Sequence, residues 1–215
     1  MAYWDSTKRI GILTAFYIAC QIIADITAVK LVEVFGMVIP AGTFVYAATF
    51  TLRDAIHRKA GKDYTLAVVI AAGVINILMA AYFMFTTGLP APVYWGAQEA
   101  YATVLSVVPY IVAASIAAEV VSEILDTELY HKAASTFAQN HLWLRVVFSN
   151  LFSVPLDSLI FAGLAFVVFP LLMGQEALPG SALATMIISQ SLFKWVVTAI
   201  VLPTIYWGKE DVYDK

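Results

Sequence analysis

Apolar residues along this chain do not alternate with polar ones; they gather into long runs separated by short polar stretches. A helix needs about 20 residues to cross a hydrocarbon core about 30 Å thick. Six runs come close: Ile10–Val34, Met37–Leu52, Leu66–Thr87, Thr103–Leu125, Leu144–Met173 and Ser181–Trp207. The pattern therefore predicts an all-α polytopic protein with six transmembrane helices. The second run is short, and Pro40 and Gly42 interrupt its start. The fifth is long and carries Pro155 in its middle, which predicts a kink or a first turn in the interface. Short or Pro/Gly-interrupted spans are where transporters place unwound backbone beside a ligand; a short helix in a locally thinned bilayer is the plain alternative.

The basic residues set an orientation. Lys8 and Arg9 precede the first run, and Arg53, Arg58, Lys59 and Lys62 lie between the second and third. Lys132 and Arg145 flank the fourth and fifth, and Lys209 and Lys215 follow the sixth. The intervening loops carry no Lys or Arg, Lys30 counting with the first run. That alternation predicts cytoplasmic termini by the positive-inside rule. Tyr3, Trp4, Tyr94, Trp95, Tyr206 and Trp207 fall at run ends, as an interfacial aromatic belt would, although the loop LPAPVYWGAQEAY also suits a lid. Six spans permit a three-plus-three inverted repeat, but the two halves show no sequence likeness.

Composition agrees with the pattern. Of 215 residues, 61% are hydrophobic and 13% charged, against about 45–50% and 25% in a soluble domain. One membrane domain accounts for the whole length, 1–215. A net charge of −3 offers no electrostatic footprint for nucleic acid, and no nucleic-acid partner is expected. The single cysteine, Cys20, cannot form an intrachain disulfide. The first run is longer than a signal-peptide core and lacks a small-residue cleavage site, so it is expected to stay attached.

Polar residues inside the runs carry the candidate chemistry, because burying them in lipid is costly. ASIAAEVVSEILD places Glu119, Glu123 and Asp126 on one helical face, and VVFSNLFSVPLDSLIFAGLAF stacks Asn150, Ser153 or Val154, Asp157 and Phe161 on another. Gln21 and Asp25 lie a turn apart in the first run. Lys30 lies near enough to its end to snorkel. Asn76 in the third run fits either a ligand contact or helix–helix hydrogen bonding. Arg53, Asp54 and His57 form a charge cluster at the cytoplasmic end of the second. The sixth run carries Gln190 and Lys194 a turn apart. Lys194 is too deep to snorkel and requires a carboxylate, Asp157 or Glu123, since either charge left alone is expensive. A structural salt bridge, a solute contact and a proton relay all fit that pair. There is no HExxH, CxxC, GxSG with a paired histidine, or Walker motif, so zinc-site, metalloprotease, rhomboid-like and ATP-driven readings lack support.

ASIAAEVVSEILD, WLRVVFSNLFSVPLDSLIFAGLAF and FKWVVTAIVLPTIYW together resemble the queuosine precursor transporter family, also called the VUT family. PAGTFVYAATFTLRDAIHRKAGK is similar to an earlier motif of that family, a Gly–Thr/Phe-rich helix ending in an aspartate before a basic loop. The carrying residues, in order, are Ser115, Glu123, Asp126, Arg145, Ser149, Asp157, Phe161, Lys194 and Pro203. The resemblance implies import of a 7-deazaguanine, preQ0, preQ1 or a related base, without a cofactor or metal. A deazaguanine presents adjacent N–H and NH2 donors that a carboxylate or amide can pair, and a flat ring that suits aromatics such as Phe44, Phe148, Phe161 or Phe193.

The expected solute-binding set is Phe44, Asn76, Glu119, Glu123, Asn150, Asp157, Phe161, Gln190 and Lys194, with Glu123 at the donor edge of the base. Glu119 stands where the family resemblance implies an apolar or aromatic residue. Its carboxylate, a turn from that of Glu123, would favour a cation between them, which points to preQ1 with its aminomethyl group rather than to the nitrile preQ0; a contact to a neighbouring helix or a protonated Glu119 is the alternative. The expected partners are the lipid bilayer and a purine-like solute; a homo-oligomer is compatible with the sequence. Two alternatives stay open. One is the substrate-binding subunit of an energy-coupling vitamin importer, docking through a small-residue pattern such as Ala15 and Ala19. The other is a membrane-embedded enzyme using Asp157 and Glu123 as acid and base.

Overall fold

A computed structural model describes residues 2–139 and 141–202. Pro203, Tyr206, Trp207, Lys209 and Lys215 lie outside the described residues, as do the side chains of Tyr3, Trp4, Asp54 and Arg58. The chain is mostly helical: α1 Ala2–Thr27, α2 Thr43–Ala60, α3 Lys62–Thr87, α4 Gln98–Leu105, α5 Val108–Thr136, α6 Leu142–Gly163, α7 Phe169–Leu172 and α8 Gly180–Val201, with a π turn at Leu164–Val168 between α6 and α7. Among the described residues, five stretches are long and apolar enough to span a membrane: Thr7–Thr27, Lys62–Thr87, Gln98–Ala133, Trp143–Leu172 and Gly180–Ile200.

The first two expected spans need correction. Residues expected to end one helix and begin the next form a hairpin instead, β1 Leu31–Val34 and β2 Met37–Pro40. Its turn places Phe35 at φ 52° and Gly36 at φ 76°, the paired positive values that match the twist of a two-residue hairpin. LVEV is exposed and half-buried in alternation, a strand signal hidden within an apolar run. Removing those residues shortens the first helix, so Asp25 lies in its last turn rather than in mid-span. The α2 helix begins only at Thr43 and is not among the five apolar stretches, because its second half carries Arg53, His57 and Lys59.

The chain divides into two compact units. One holds, among the described residues, 2–30 and 40–112. Here α1, α2 and α3 pack around Tyr17, Ile56, Val68 and Ala72. The buried face of α3 is Thr65, Val68, Ala72, Asn76 and Ala80, one stripe at helical spacing. Leu66, Ile70, Ile77 and Tyr82 stand exposed away from that face, as lipid-facing residues do. Gly42 sets the approach of α2 to α1, since a Cβ there would lie 2.1 Å from the Ala24 carbonyl oxygen. Gly61, at φ 83°, joins α2 to α3 and accepts hydrogen bonds from the backbone N–H and hydroxyl of Thr65.

The other unit holds residues 31–39 and 113–202. Its helices bury small and polar residues: Ser115 and Ala118 on α5, Ser149, Ser153, Asp157, Ser158 and Ala162 on α6, and Ser189, Gln190 and Lys194 on α8. Small residues let helices approach closely where lipid supplies no hydrophobic drive. The α6 helix runs on through Pro155, and the departure from α geometry comes later, at the π turn. Pro170 accounts for part of it. Having no N–H, it cannot bond the Phe166 carbonyl one turn back, and the Leu178 N–H takes that acceptor at 2.8 Å instead. At the other end of α6, Arg145 donates to the carbonyls of Ala138 and Gln139 at 2.9 and 2.5 Å, closing the α5–α6 loop. The motif arginine is thus a loop clamp.

Candidate functional site

Asp157 and Lys194 meet between α6 and α8. The ammonium donates to Asp157 Oδ2 at 2.5 Å and to Ser158 Oγ at 3.2 Å. The two side chains are 6% and 3% exposed, so each charge depends on the other rather than on water. The second carboxylate oxygen, Asp157 Oδ1, accepts from Ser122 Oγ of α5 at 3.2 Å. One turn away, Ser153 of α6 donates to Asp126 of α5 at 2.8 Å. Because the helices run antiparallel, Ser122 and Asp126 oppose Asp157 and Ser153 as two polar rungs. The pairing expected for Lys194 is present, with Asp157.

Gln190 lies one turn before Lys194 and is 1% exposed. Its Nε2 finds no acceptor among the described residues. A buried amide N–H left without a partner costs about 1–3 kcal/mol, which makes it a candidate donor to a bound solute. Trp195, next to Lys194, donates its indole N–H to the Asn150 carbonyl at 3.0 Å. Asn150 therefore contributes backbone to the packing, and its side chain is half-buried. Phe161, one turn from Asp157, is half-buried and meets Phe166 edge to face, with centroids 6.0 Å apart.

The remaining expected residues are placed differently. Glu119 is half-buried and Glu123 exposed, with Ser122 between them making the contact to Asp157. Phe44 and Asn76 belong to the first unit, where Phe44 is exposed and Asn76 buried. There Asn76 Nδ2 donates to Asp25 Oδ2 at 2.7 Å, and Gln21 Nε2 donates to the Tyr17 hydroxyl at 3.1 Å. Asn76 Oδ1 has no donor among the described residues. The serines of the α5–α6 rungs escape sequence reasoning, because a serine in an apolar helix carries no charge to flag it. Spacing could have suggested them, since Ser122 precedes Asp126 and Ser153 precedes Asp157 by one turn each.

Residues 40–208 match the model of a family described as "Putative vitamin uptake transporter". The chain belongs to this family. It is a multi-pass integral protein of the cell membrane and a transporter. It is also 27% identical over 191 residues to a Bacillus subtilis (strain 168) protein named "Probable queuosine precursor transporter", covering 88% of this chain and 80% of that relative. No solved structure matches. The family match begins at Pro40 and so takes in the close Gly42 approach, Asn76, the serine rungs and the Asp157–Lys194 pair, while Asp25 and Gln21 precede it.

Proposed function

We propose that this transporter imports a 7-deazaguanine precursor of queuosine, and that the polar cluster of α6 and α8 is where it holds the base. The observation that carries the reading is Gln190. Its unpartnered amide N–H is fully buried one turn from the Asp157–Lys194 pair. A buried donor beside a neutralised pair favours an uncharged acceptor group at that point of the solute, and the carbonyl of a deazaguanine is such an acceptor. The two Asp157 oxygens already receive Lys194 and Ser122, which leaves Gln190 as the group that discriminates. Phe161, one turn along α6, offers a ring for stacking. Glu119 of α5 is assigned to a cationic substituent, which favours preQ1. The name of the Bacillus subtilis relative supports the substrate class.

The topology proposed with it has six spans and cytoplasmic termini. The α2 helix serves as the short sixth span: its 18 residues extend about 27 Å at ~1.5 Å per residue. A binding screen of preQ0, preQ1, guanine and unrelated vitamins against the purified protein tests the substrate assignment. Deazaguanine binding that weakens about tenfold or more in Gln190→Leu supports it. Preference for a vitamin, or binding indifferent to Gln190, contradicts it. The rival reading as a passive substrate-binding subunit requires a coupling partner, so transport by the purified chain alone separates the two.

A further inference from the structure

The π turn that follows α6 brings together two rings that an α-helix would hold apart. Phe161 and Phe166 stand five positions apart, whereas side chains along an α-helix meet at three or four. Over Leu164–Val168 the hydrogen-bond ladder lengthens, and the Phe169 N–H reaches the Leu164 carbonyl, five residues back. The wider turn carries Phe166 round toward Phe161. There the two half-buried rings meet edge to face, with centroids 6.0 Å apart and planes at 81°. Phe161 itself stands one turn beyond Asp157, on the same face of α6 as the carboxylate that Lys194 meets. The chain beyond α7 holds this arrangement. Pro170 has no N–H to give the Phe166 carbonyl, and the Leu178 N–H takes that acceptor at 2.8 Å. The loop thereby fixes the backbone of the residue that bears the second ring. Gly174, at φ 71°, turns that loop back, and the Gln175 N–H bonds the Pro170 carbonyl at 2.9 Å. Single π turns within long helices occur frequently at functional sites.

We propose that Phe166 is a positioning residue for solute recognition: across the π turn it fixes the ring of Phe161, against which the flat face of the base stacks. The inference rests on the assignment of the α6–α8 cluster to the base. An edge-to-face contact holds a phenyl ring in one orientation, so Phe161 offers a planar solute a preformed surface rather than one that must be ordered on binding. Gln190 and Phe161 then divide the task. The buried amide reads an acceptor on the edge of the solute, and the ring reads its flatness. An aliphatic side chain at position 166 would fill space but would not hold the Phe161 ring by its quadrupole, so ring chemistry rather than bulk is what this position requires.

The test measures equilibrium binding of radiolabelled preQ1 to the purified full chain, in the parent, Phe166→Leu, Phe166→Tyr, Phe161→Leu and the double variant Phe161→Leu with Phe166→Leu. Phe166→Leu should weaken binding about three- to tenfold, and Phe166→Tyr, which keeps the ring, should stay within about twofold of the parent. In the Phe161→Leu background the loss of Phe166 should cost no more than about twofold further, because a residue that acts through Phe161 has nothing left to act on. A ring that only supports the fold would lower affinity by the same factor in both backgrounds. Rescue by Phe166→Tyr keeps the test decisive if binding by the double variant is too weak to measure. Deazaguanine binding indifferent to Phe166→Leu, an equal loss in both backgrounds, or an equal loss in Phe166→Leu and Phe166→Tyr overturns the proposal and leaves the deazaguanine assignment standing. No deazaguanine binding by the parent overturns both.

Discussion

Removing either member of the Asp157–Lys194 pair should destabilise the protein far more than removing both. With side chains 6% and 3% exposed and in direct contact, Asp157→Asn strands an ammonium and Lys194→Met strands a carboxylate. Breaking a buried pair from one side costs about 3–5 kcal/mol, whereas replacing both charges is close to neutral. Local contacts refine this. In Asp157→Asn the amide oxygen still accepts from Ser122, so the main loss is the ammonium's partner, with Ser158 Oγ left as a neutral acceptor. In Lys194→Met the carboxylate keeps only the Ser122 hydroxyl among the described residues, so this single change should be the worse of the two. At about 2–4 °C per kcal/mol for a chain of this size, each single variant should lose roughly 6–20 °C in unfolding temperature. The double variant should recover most of that, so the double-mutant cycle should give a coupling close to the two single losses combined, roughly 6–10 kcal/mol. Thermal unfolding of detergent-purified protein, read by size-exclusion recovery, measures the four corners. A double variant no more stable than the singles refutes the mutual compensation. If it recovers stability but not transport, the charges take part in the transport cycle; normal transport makes the pair purely structural.

Gly42→Ala should be poorly tolerated, since its Cβ would lie 2.1 Å from the Ala24 carbonyl oxygen. α1 and α2 must then separate, and a drop of several degrees in unfolding temperature should exceed that of Gly73→Ala, where a Cβ meets nothing within 4 Å. Cysteines placed at Tyr94 and Lys59 should differ in labelling by an impermeant reagent applied to whole cells, with Tyr94 reactive and Lys59 protected; equal labelling refutes the six-span topology. Glu119→Gln should weaken preQ1 binding and spare preQ0; tighter preQ0 binding by the parent, or an equal effect on both, removes Glu119 from substrate choice.

The membrane architecture and the central ion pair were legible in the sequence because each breaks a strong background. A lysine within ISQSLFKWVVTAIVLP requires a carboxylate, and the aspartate within SVPLDSLIF meets it. The hairpin was not legible. LVEVFGMVIP is as apolar as the helices around it, and its two-residue periodicity is too short to stand out from a continuous hydrophobic run. That error moved Asp25 from the end of α1 to mid-span and hid its relation to a helix terminus. The Asn76–Asp25 contact joins residues from separate spans, a pairing that periodicity cannot supply. Of the α5 face read as Glu119, Glu123 and Asp126, Asp126 meets α6 through Ser153, and Ser122, with no charge to flag it, adds a second contact. Pro155 lies inside an unbroken α6, and the π turn farther along owes part of its geometry to Pro170, whose missing N–H frees a carbonyl that Leu178 can reach.

Uptake into liposomes tests the central claim most directly. The purified chain, reconstituted without any partner, is offered radiolabelled preQ1 alongside a labelled vitamin, and internal label is followed with time. Saturable accumulation of preQ1, competed by unlabelled preQ0 and reduced in Gln190→Leu, is the predicted result. No uptake of either deazaguanine by protein shown to be folded, or uptake of the vitamin in their place, would contradict the account.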